Sequence, residues 1–332
     1  MIRSLPFALW STACLLALMV LPWVVRAEPV RTVEHALGET RIEDTPQRIV
    51  TLYQGVTDSA LALGLEPVGV VESWLERPMY HYLRDSLPDD VRYLGLETQP
   101  ELEAIAGLAP DLIVAARHRH ADIYPLLSRI APTVAVGDVY EVEAGLELLG
   151  KATGREAEAK SMLVAWEERL ADFQCRAASR LGDAWPQSVS VISFRGDHVR
   201  IYYKGFARHI LDQVGFLQPK AHQGGSWGVK LVSRENIPAM DADAIFVFMR
   251  DDPVVAEQYR DWTAHPLWQN LSAVKGDRVH HVDPVIWNMG AGITAANRML
   301  DELYAHYQLE SNGRKESDSE AADRQSEETR SC

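Results

Sequence analysis

The chain has 332 residues and a formal net charge of −14 at neutral pH. This excess of carboxylates argues against partners that carry many phosphates, namely nucleic acids and anionic membranes. It also means that an anionic small molecule would bind only where arginines are concentrated locally.

The first 27 residues have the pattern of a secretory signal peptide. Arg3 supplies a short positive region, an apolar stretch runs from Leu5 to Val25, and Val25-Arg26-Ala27 offers small residues for cleavage. The apolar stretch approaches the roughly 20 residues of a spanning helix, so a retained anchor is the alternative. Because two prolines interrupt the stretch, we expect cleavage after Ala27 and a mature protein in the periplasm.

The remaining cysteines and the C-terminal tail predict little covalent or packed structure. Cys175 and Cys332 would survive cleavage, and they form no CxxC pair, so we expect no disulfide framework. The tail from Ser311 to Cys332 is rich in Ser, Glu, Asp and Arg and contains no aliphatic residue larger than Ala. Such a segment buries too little apolar surface to fold, and we predict that residues 311–332 are disordered.

Between these ends, apolar runs alternate with amphipathic segments in an order typical of an α/β protein. The predicted strands are Arg48–Leu52, Val68–Val71, Leu112–Ala115, Ser188–Phe194, Ala244–Phe248 and Arg278–Val282. Helices are predicted before Gly64, from Val142 to about Arg180 with a break at Thr153-Gly154, and from Phe206 to Val214. Strands that alternate with helices indicate parallel-rich sheets covered on both faces.

Two segments of this pattern repeat each other. Residues 102–114 and 234–246 place Glu, Ile, Leu or Met, Asp and Ile at the same offsets, each as a short amphipathic helix that leads into a buried strand. Chance similarity is the simpler explanation for segments this short. The surroundings also match, so we interpret the repeat as a duplicated α/β unit. The long helical stretch between the copies is long enough to join two lobes.

Several motifs together resemble the periplasmic substrate-binding proteins for ferric siderophores of iron ABC importers, most closely the ferric-dicitrate-binding branch. The motifs are Pro46-Gln47-Arg48-Ile49-Val50, Gln99-Pro100-Glu101-Leu102-Glu103-Ala104-Ile105, Ala109-Pro110-Asp111-Leu112-Ile113, Arg119-His120, Tyr124, Ile130-Ala131-Pro132, His265-Pro266-Leu267-Trp268, Val282-Asp283 and Trp287. The resemblance covers about residues 46–308. It implies two Rossmann-like lobes (28–141 and 182–310) joined by a linker (142–181) with one long interdomain helix, and a ligand bound in the cleft. It also implies delivery to an inner-membrane permease driven by an ATPase.

Arginines that follow predicted strands are the candidate ligand contacts, because open α/β sheets bind ligands at the carboxyl ends of their strands. A ferric siderophore already satisfies its iron, so the protein needs guanidinium groups for carboxylates and aromatic walls rather than metal ligands. Solvated surface arginines and core aromatics are the alternatives. The candidates are Arg119, Arg195, Arg250, Tyr53, Trp74, Tyr203 (or its neighbour Tyr202) and Trp287.

The segment after Trp287 departs from the dicitrate pattern. Asn288-Met289-Gly290 stands where that branch carries an arginine, so a hydroxamate or mixed-carboxylate siderophore stays open beside ferric citrate. Haem and cobalamin, which relatives of the same architecture carry, stay open as well.

Glu103 and Glu235 occupy equivalent positions in the two repeats. The resemblance implies that one surface glutamate per lobe docks onto arginines of the permease. A carboxylate near a helix N-terminus is also favourable without any partner, which is the simpler explanation for each residue alone.

Other functions are less well supported by the sequence. His118-x-His120 and His280-His281 are isolated pairs rather than a metal cluster, so we expect no metal site and no cofactor. GxGxxG does not occur, and Gly224-Gly225-Ser226-Trp227-Gly228, which has the spacing of GxSxG, is interpreted as a flexible loop at the cleft edge, so we expect no enzyme. A module that presents its loaded state to a membrane receptor shares every feature above. We expect a monomer.

Overall fold

The structure is a computed structural model that describes residues 30–309. The predicted signal peptide and the predicted polar tail both lie outside these residues. The described chain begins with a hairpin of two antiparallel strands, β1 (Arg31–His35) and β2 (Gly38–Ile42). Val33 and Ile42 are buried and fasten this hairpin to the first lobe.

The N-terminal lobe is built on a six-stranded sheet. Its strands are β3 (Ile49–Thr51), β4 (Gly69–Glu72), β5 (Arg92–Leu96), β6 (Gln99–Pro100), β7 (Leu112–Ala116) and β8 (Thr133–Val136). They lie in the order β6-β5-β4-β3-β7-β8, and every neighbouring pair is parallel except β5 and β6. The helices of this half are α1 (Gln54–Ala62), α2 (His81–Arg84), α3 (Leu102–Gly107), α4 (Arg117–His120), α5 (Tyr124–Ile130) and α6 (Val142–Thr153).

The C-terminal lobe contains a five-stranded mixed sheet. Its strands are β9 (Val189–Phe194), β10 (Val199–Tyr202), β11 (Gly228–Leu231), β12 (Ala244–Met249) and β13 (Val279–His281), in the order β11-β10-β9-β12-β13. Its helices are α8 (Phe206–Val214), α9 (Pro253–Thr263), α10 (Pro266–Gln269), α11 (Ser272–Lys275) and α12 (Ile293–His306). Strands β9, β12 and β13 are parallel, whereas β10 is antiparallel to both neighbours. The short turn after β9, closed by the amide of Arg195 donating to the carbonyl oxygen of His198, makes a hairpin with β10, a strand that the sequence pattern did not predict.

The two repeat segments make equivalent contacts, which supports the duplication. The carboxylate of Asp111 accepts the backbone N–H groups of Gln47 and Arg48 at 2.8 Å each, at the start of β3. The carboxylate of Asp243 accepts the N–H and the hydroxyl of Ser188, at 2.8 and 2.7 Å, just before β9. Each aspartate stands just before one strand and holds the start of the neighbouring central strand in place. The helical part of the second repeat segment, Arg234–Met240, is a 3-10 helix rather than an α-helix, and it contains Pro238.

A single long helix, α7 (Glu156–Leu181), joins the lobes, as the sequence predicts. Its 26 residues correspond to about 39 Å at the standard rise. Gly154 ends α6 in the left-handed conformation, with φ of 73°, and produces the expected break. Trp166 and Phe173 are buried on the inner face of α7.

The last helix, α12, also ties the lobes together. The carboxylate of Asp58, in α1 of the N-terminal lobe, accepts the N–H groups of Thr294 and Ala295 at 2.8 and 2.9 Å. Asp58 has no exposed surface. At the other end, Tyr304 packs edge-on against Phe173 of α7, with ring centroids 5.1 Å apart. One hydrophobic core therefore runs from the N-terminal lobe through α7 and α12 into the C-terminal lobe. The outer face of each sheet packs against a separate cluster.

Two further findings concern the covalent structure and membranes. Cys175 is disulfide-bonded, which differs from our expectation that the chain has no disulfide framework. Cysteine spacing alone does not reveal pairing, which explains the difference. Within the same residues, no helix combines the length and the apolar character needed to span a bilayer.

Candidate functional site

A cavity of about 320 Å³ lies between the lobes, where the carboxyl ends of the strands meet. We call it the interlobe cavity. It is lined by Tyr53, Gln54, Trp74, Tyr80, Glu97, Arg119, Val139, Tyr140, Arg195, Tyr202, Arg250, Asn288, Met289, Gly290 and Ala291. Five of the seven predicted ligand residues, Tyr53, Trp74, Arg119, Arg195 and Arg250, are in this set.

Three arginines enter the interlobe cavity from both lobes. Arg119 stands in α4 directly after β7, and Arg195 and Arg250 follow β9 and β12. An Nη of Arg195 donates to the Tyr202 hydroxyl at 3.1 Å, and its buried Nε has no acceptor among the described residues. Arg250 is exposed. The site therefore offers guanidinium donors that a ligand with several oxygen acceptors can engage.

Glu97 is the one carboxylate of the lining, and nothing in its sequence context selects it. It follows β5, and its Oε1 accepts the Nε–H of Arg119 at 2.9 Å. The Glu97 side chain is 7% exposed, whereas that of Arg119 is 29% exposed. Burial raises the pKa of Glu97, and the positive charge of Arg119 acts in the opposite direction. With three guanidinium groups and one carboxylate, the lining has a formal charge of +2.

Aromatic side chains form the wall that the N-terminal lobe contributes to the interlobe cavity. Tyr53 and Tyr80 are buried, and Trp74 is 38% exposed. Burial raises the pKa of Tyr140 to about 12, although Arg119 acts against it. This phenol therefore stays protonated at neutral pH and can donate a hydrogen bond to a ligand. Tyr140 also contacts Trp227 of the glycine-rich 224–228 loop, with ring centroids 5.1 Å apart.

The structure places two predicted wall residues elsewhere. Tyr202 lines the interlobe cavity, whereas Tyr203 stacks on His222, with ring centroids 5.0 Å apart. The side chains of successive residues in an extended chain point to opposite sides, so Tyr202 faces the cavity and its neighbour Tyr203 faces away from it. Trp287 is 1% exposed and belongs to the core. Its Nε1–H donates to Glu302 at 2.9 Å, and its ring packs on Phe246.

Residues 288–291, which we call the cavity loop, supply the lining that Trp287 does not. A π-helical turn, Val285–Met289, turns the chain so that Trp287 points into the core while Asn288 and Met289 line the cavity. A Cβ on Gly55 of α1 would collide with the backbone carbonyl of Ala291. The cavity loop therefore lies directly against the N-terminal lobe.

One acceptor of the lining is left without a partner. The Gln54 amide nitrogen donates to the carbonyl oxygen of Val71 at 3.0 Å, which fixes the orientation of this buried side chain. Its Oε1 accepts no hydrogen bond from the residues that the structure describes. A hydroxyl or amide N–H of a ligand would satisfy it.

Glu103 and Glu235 lie on the surface, in the first turns of α3 and of the 3-10 helix Arg234–Met240. The hydroxyl of Ser233 accepts the N–H of Glu235 at 3.3 Å. Neither glutamate lines the interlobe cavity. The equivalent positions in the two repeats are thus both accessible to a partner.

A second cavity and a metal cluster are the other kinds of ligand site to consider. A depression of about 410 Å³ lies at the amino ends of β3, β4 and β5, and its Arg48 already donates to the carbonyl oxygens of Leu108 and Ala109. From residue 30 to residue 309, no three His, Cys, Asp or Glu side chains are grouped so as to hold a metal ion.

Comparison with known proteins agrees with this geometry. The chain is 43% identical over 263 residues to the achromobactin-binding periplasmic protein of Dickeya dadantii, covering 78% of this chain and 85% of the relative. It superposes on Staphylococcus aureus SirA complexed with staphyloferrin B with a TM-score of 0.79 and 41% identity, covering 84% and 99% of the two chains.

The predicted closeness to the ferric-dicitrate branch was wrong. The ferric dicitrate-binding periplasmic protein of Escherichia coli is 29% identical, covering 81% of this chain and 87% of the relative. Both proteins named above are more similar in sequence. The replacement of the expected arginine by Asn288 in the cavity loop is consistent with this distance.

The family model for periplasmic binding proteins matches residues 49–286, which include both sheets and α7. Its members bind solutes, and two lobes around an arginine-rich cavity are suited to that task. The chain therefore belongs to the periplasmic binding protein family.

Proposed function

We propose that this chain is the periplasmic solute-binding component of an ABC importer and captures a ferric siderophore in the interlobe cavity. The observation that carries the proposal is the convergence of Arg119, Arg195 and Arg250 on one cavity between the lobes. The names of the two similar proteins, which specify achromobactin and staphyloferrin B, point to the same class of ligand. The protein would be exported by the 1–27 signal and would perform no chemistry on its cargo.

Within that class, the lining favours a siderophore with carboxylates over a hydroxamate. Guanidinium groups pair with carboxylates through two charge-assisted hydrogen bonds, whereas a neutral ferric hydroxamate offers no charge to match them. The unpaired Oε1 of Gln54 adds an acceptor for a ligand hydroxyl or amide. Ferric citrate fits less well, since the cavity loop lacks an arginine. Haem and cobalamin are the competing cargoes.

The proposal is tested by titrating the protein with ferric staphyloferrin B, ferric citrate, ferrichrome, haem and cobalamin while following tryptophan fluorescence. Trp74 lines the interlobe cavity, so a bound ferric complex is expected to quench it. We expect the strongest response with the carboxylate siderophore. A response to haem or cobalamin alone, with none to any ferric complex, would overturn the cargo assignment.

Arg119→Ala tests the contact itself. The loss of a charged hydrogen bond is expected to cost about 1.5–3 kcal/mol of binding free energy, or a Kd roughly 13 to 160 times higher. Arg41→Ala is the matched control, because the Arg41 side chain is 67% exposed on β2, outside the cavity. Equal affinities of the two variants would remove Arg119 from the site.

We further propose that Glu103 and Glu235 dock the loaded protein onto the permease. Both carboxylates are exposed at equivalent positions of the two lobes, which suits a partner that contacts both lobes at once. Reversing both charges to arginine is expected to abolish uptake and to leave ligand affinity unchanged. Glu257→Arg, an exposed glutamate on α9, is the control. Loss of ligand affinity in the double variant would contradict the assignment.

A further inference from the structure

Glu97 is a costly residue to place in a cavity that receives an anion. A buried carboxylate is destabilised unless it is paired, and this one also repels a negatively charged ligand. It is buried and lines the interlobe cavity. Its side chain pairs with Arg119 through the Nε edge of the guanidinium, at 2.9 Å.

The backbone around this pair is fixed by a second bond. His120, next to Arg119 in α4, contacts the carbonyl oxygen of Glu97 through Nε2 at 2.8 Å. Its Nδ1 accepts the N–H of Ala116 at 3.1 Å, so Nε2 carries the hydrogen and donates it to Glu97. His120 has no exposed surface, and burial lowers its pKa, which keeps this neutral tautomer. The turn that carries Glu97 and the helix that carries Arg119 are thus joined twice.

This arrangement decides which side of the Arg119 guanidinium is left for a ligand. The Nε–H is occupied by Glu97, and no acceptor for either Nη group is found among the described residues. A guanidinium held by its Nε edge presents its two Nη groups as a fork to the remaining space. At the same time, the carboxylate offsets one of the three positive charges of the lining.

We propose that Glu97 is the specificity-determining residue of the interlobe cavity: it positions the Arg119 fork and limits the negative charge that the cavity accepts. The inference rests on the proposed siderophore function and deepens it. Its ligand is a ferric carboxylate complex of limited negative charge, contacted by the two Nη groups. Glu97 itself is a positioning residue for that contact, because it acts on the ligand through Arg119 and through its field.

The two roles are separated by comparing Glu97→Gln with Glu97→Ala. The glutamine keeps an oxygen that accepts the Nε–H of Arg119 but has no charge, whereas alanine removes both. The probes are ferric staphyloferrin B, which is anionic, and ferrichrome, which is neutral. Glu97→Gln is expected to raise the ratio of anionic to neutral affinity about threefold or more, since a nearby like charge has been removed. Glu97→Ala is expected to bind the anionic probe about threefold or more weakly than Glu97→Gln, because the fork is no longer held.

A double-mutant cycle tests whether Glu97 acts through Arg119. When Arg119→Ala is also present, the Glu97→Gln and Glu97→Ala variants are expected to differ by less than about twofold in their affinity for ferric staphyloferrin B, since there is no guanidinium left to position. Glu101→Gln, an exposed carboxylate outside the cavity, is the control and is expected to change neither ratio nor affinity. Circular dichroism of each variant verifies folding, and Glu97→Gln alone decides the charge effect if Glu97→Ala does not fold.

The outcomes separate this inference from the function on which it rests. If the unaltered protein binds no ferric complex, both fall. If it binds ferric staphyloferrin B and Glu97→Gln leaves the ratio of anionic to neutral affinity unchanged, the charge role is overturned while the function stands. If the alanine and glutamine variants differ equally with and without Arg119, the positioning role is overturned.

Discussion

Removal of the Asp58 carboxylate is expected to loosen the junction between the lobes. Its two oxygens accept the N–H groups of Thr294 and Ala295 at 2.8 and 2.9 Å, at the N-terminus of α12. A hydrogen bond to a charged acceptor contributes about 1.5–3 kcal/mol net, and two give roughly 3–6 kcal/mol. Releasing a carboxylate from a fully buried position recovers part of this, because burial opposes its charge and raises the pKa of Asp58. We therefore expect Asp58→Ala to lower the free energy of unfolding by about 2–4 kcal/mol.

Asp252→Ala is the matched control for this measurement. Asp252 caps α9 in the same way, by accepting the N–H groups of Val254 and Val255, but it is exposed. Loss of such a cap costs about 0.5–2 kcal/mol, typically near 1. Both variants are measured by guanidinium unfolding monitored by circular dichroism, with the m-value checked for two-state behaviour. If Asp58→Ala costs no more than Asp252→Ala, the buried junction does not contribute as argued.

Three further predictions concern packing, the cavity wall and pH. Gly55→Ala is expected to cost about 1–3 kcal/mol and to weaken ligand binding, because its Cβ would collide with the cavity loop; an unchanged melting temperature would contradict this. Tyr202→Phe is expected to weaken siderophore binding in a fluorescence titration, whereas Tyr203→Phe is not, since only the former lines the cavity. Glu143 lies 3.1 Å from His209 and accepts the side-chain amide of Gln213 at 2.6 Å. Burial opposes the charge of Glu143, but the hydrogen bonds from His209 and Gln213 outweigh it and lower the Glu143 pKa from 4.5 to about 2, while the hydrogen bond to Glu143 raises the pKa of His209 above 6.5. The stability that the Glu143 charge contributes is lost as pH falls below 4.5 towards 2, and the stability that the His209 charge contributes is lost as pH rises above 6.5. The difference in melting temperature between the unaltered protein and Glu143→Gln is therefore expected to be largest between pH 4.5 and 6.5. A difference that does not depend on pH would refute the pairing.

The buried elements of the fold were predictable because each is determined by local pattern. Helix α8 was predicted at Phe206–Val214 and has those bounds, since Gly205 precedes it and Gly215 ends it in the left-handed conformation. The break at Gly154 followed from the same rule. The β1–β2 hairpin was missed because its turn residues, Ala36 and Leu37, include neither Gly, Asn nor Asp.

The candidate site was predictable where strand ends determine it and not where side-chain direction does. Arg119, Arg195 and Arg250 were found by their positions after strands, which the topology brings to one edge. Trp287 satisfied the same rule but points into the core, because a π-helical turn rotates it away. Glu97 gave no local signal, since its importance comes from a contact with Arg119, 22 residues later in the chain.

The position of α12 has a consequence for how this protein matures. Its residues complete the core of the N-terminal lobe at one end and of the C-terminal lobe at the other, and it is the last helix of the described chain. Neither lobe can finish burying its apolar surface during synthesis or export until this segment has arrived. A chain exported with its N-terminus first would thus remain incompletely folded during most of its export and would become resistant to proteases only at the end. A product truncated before Gly292 would expose that unfinished core and would be open to proteolysis.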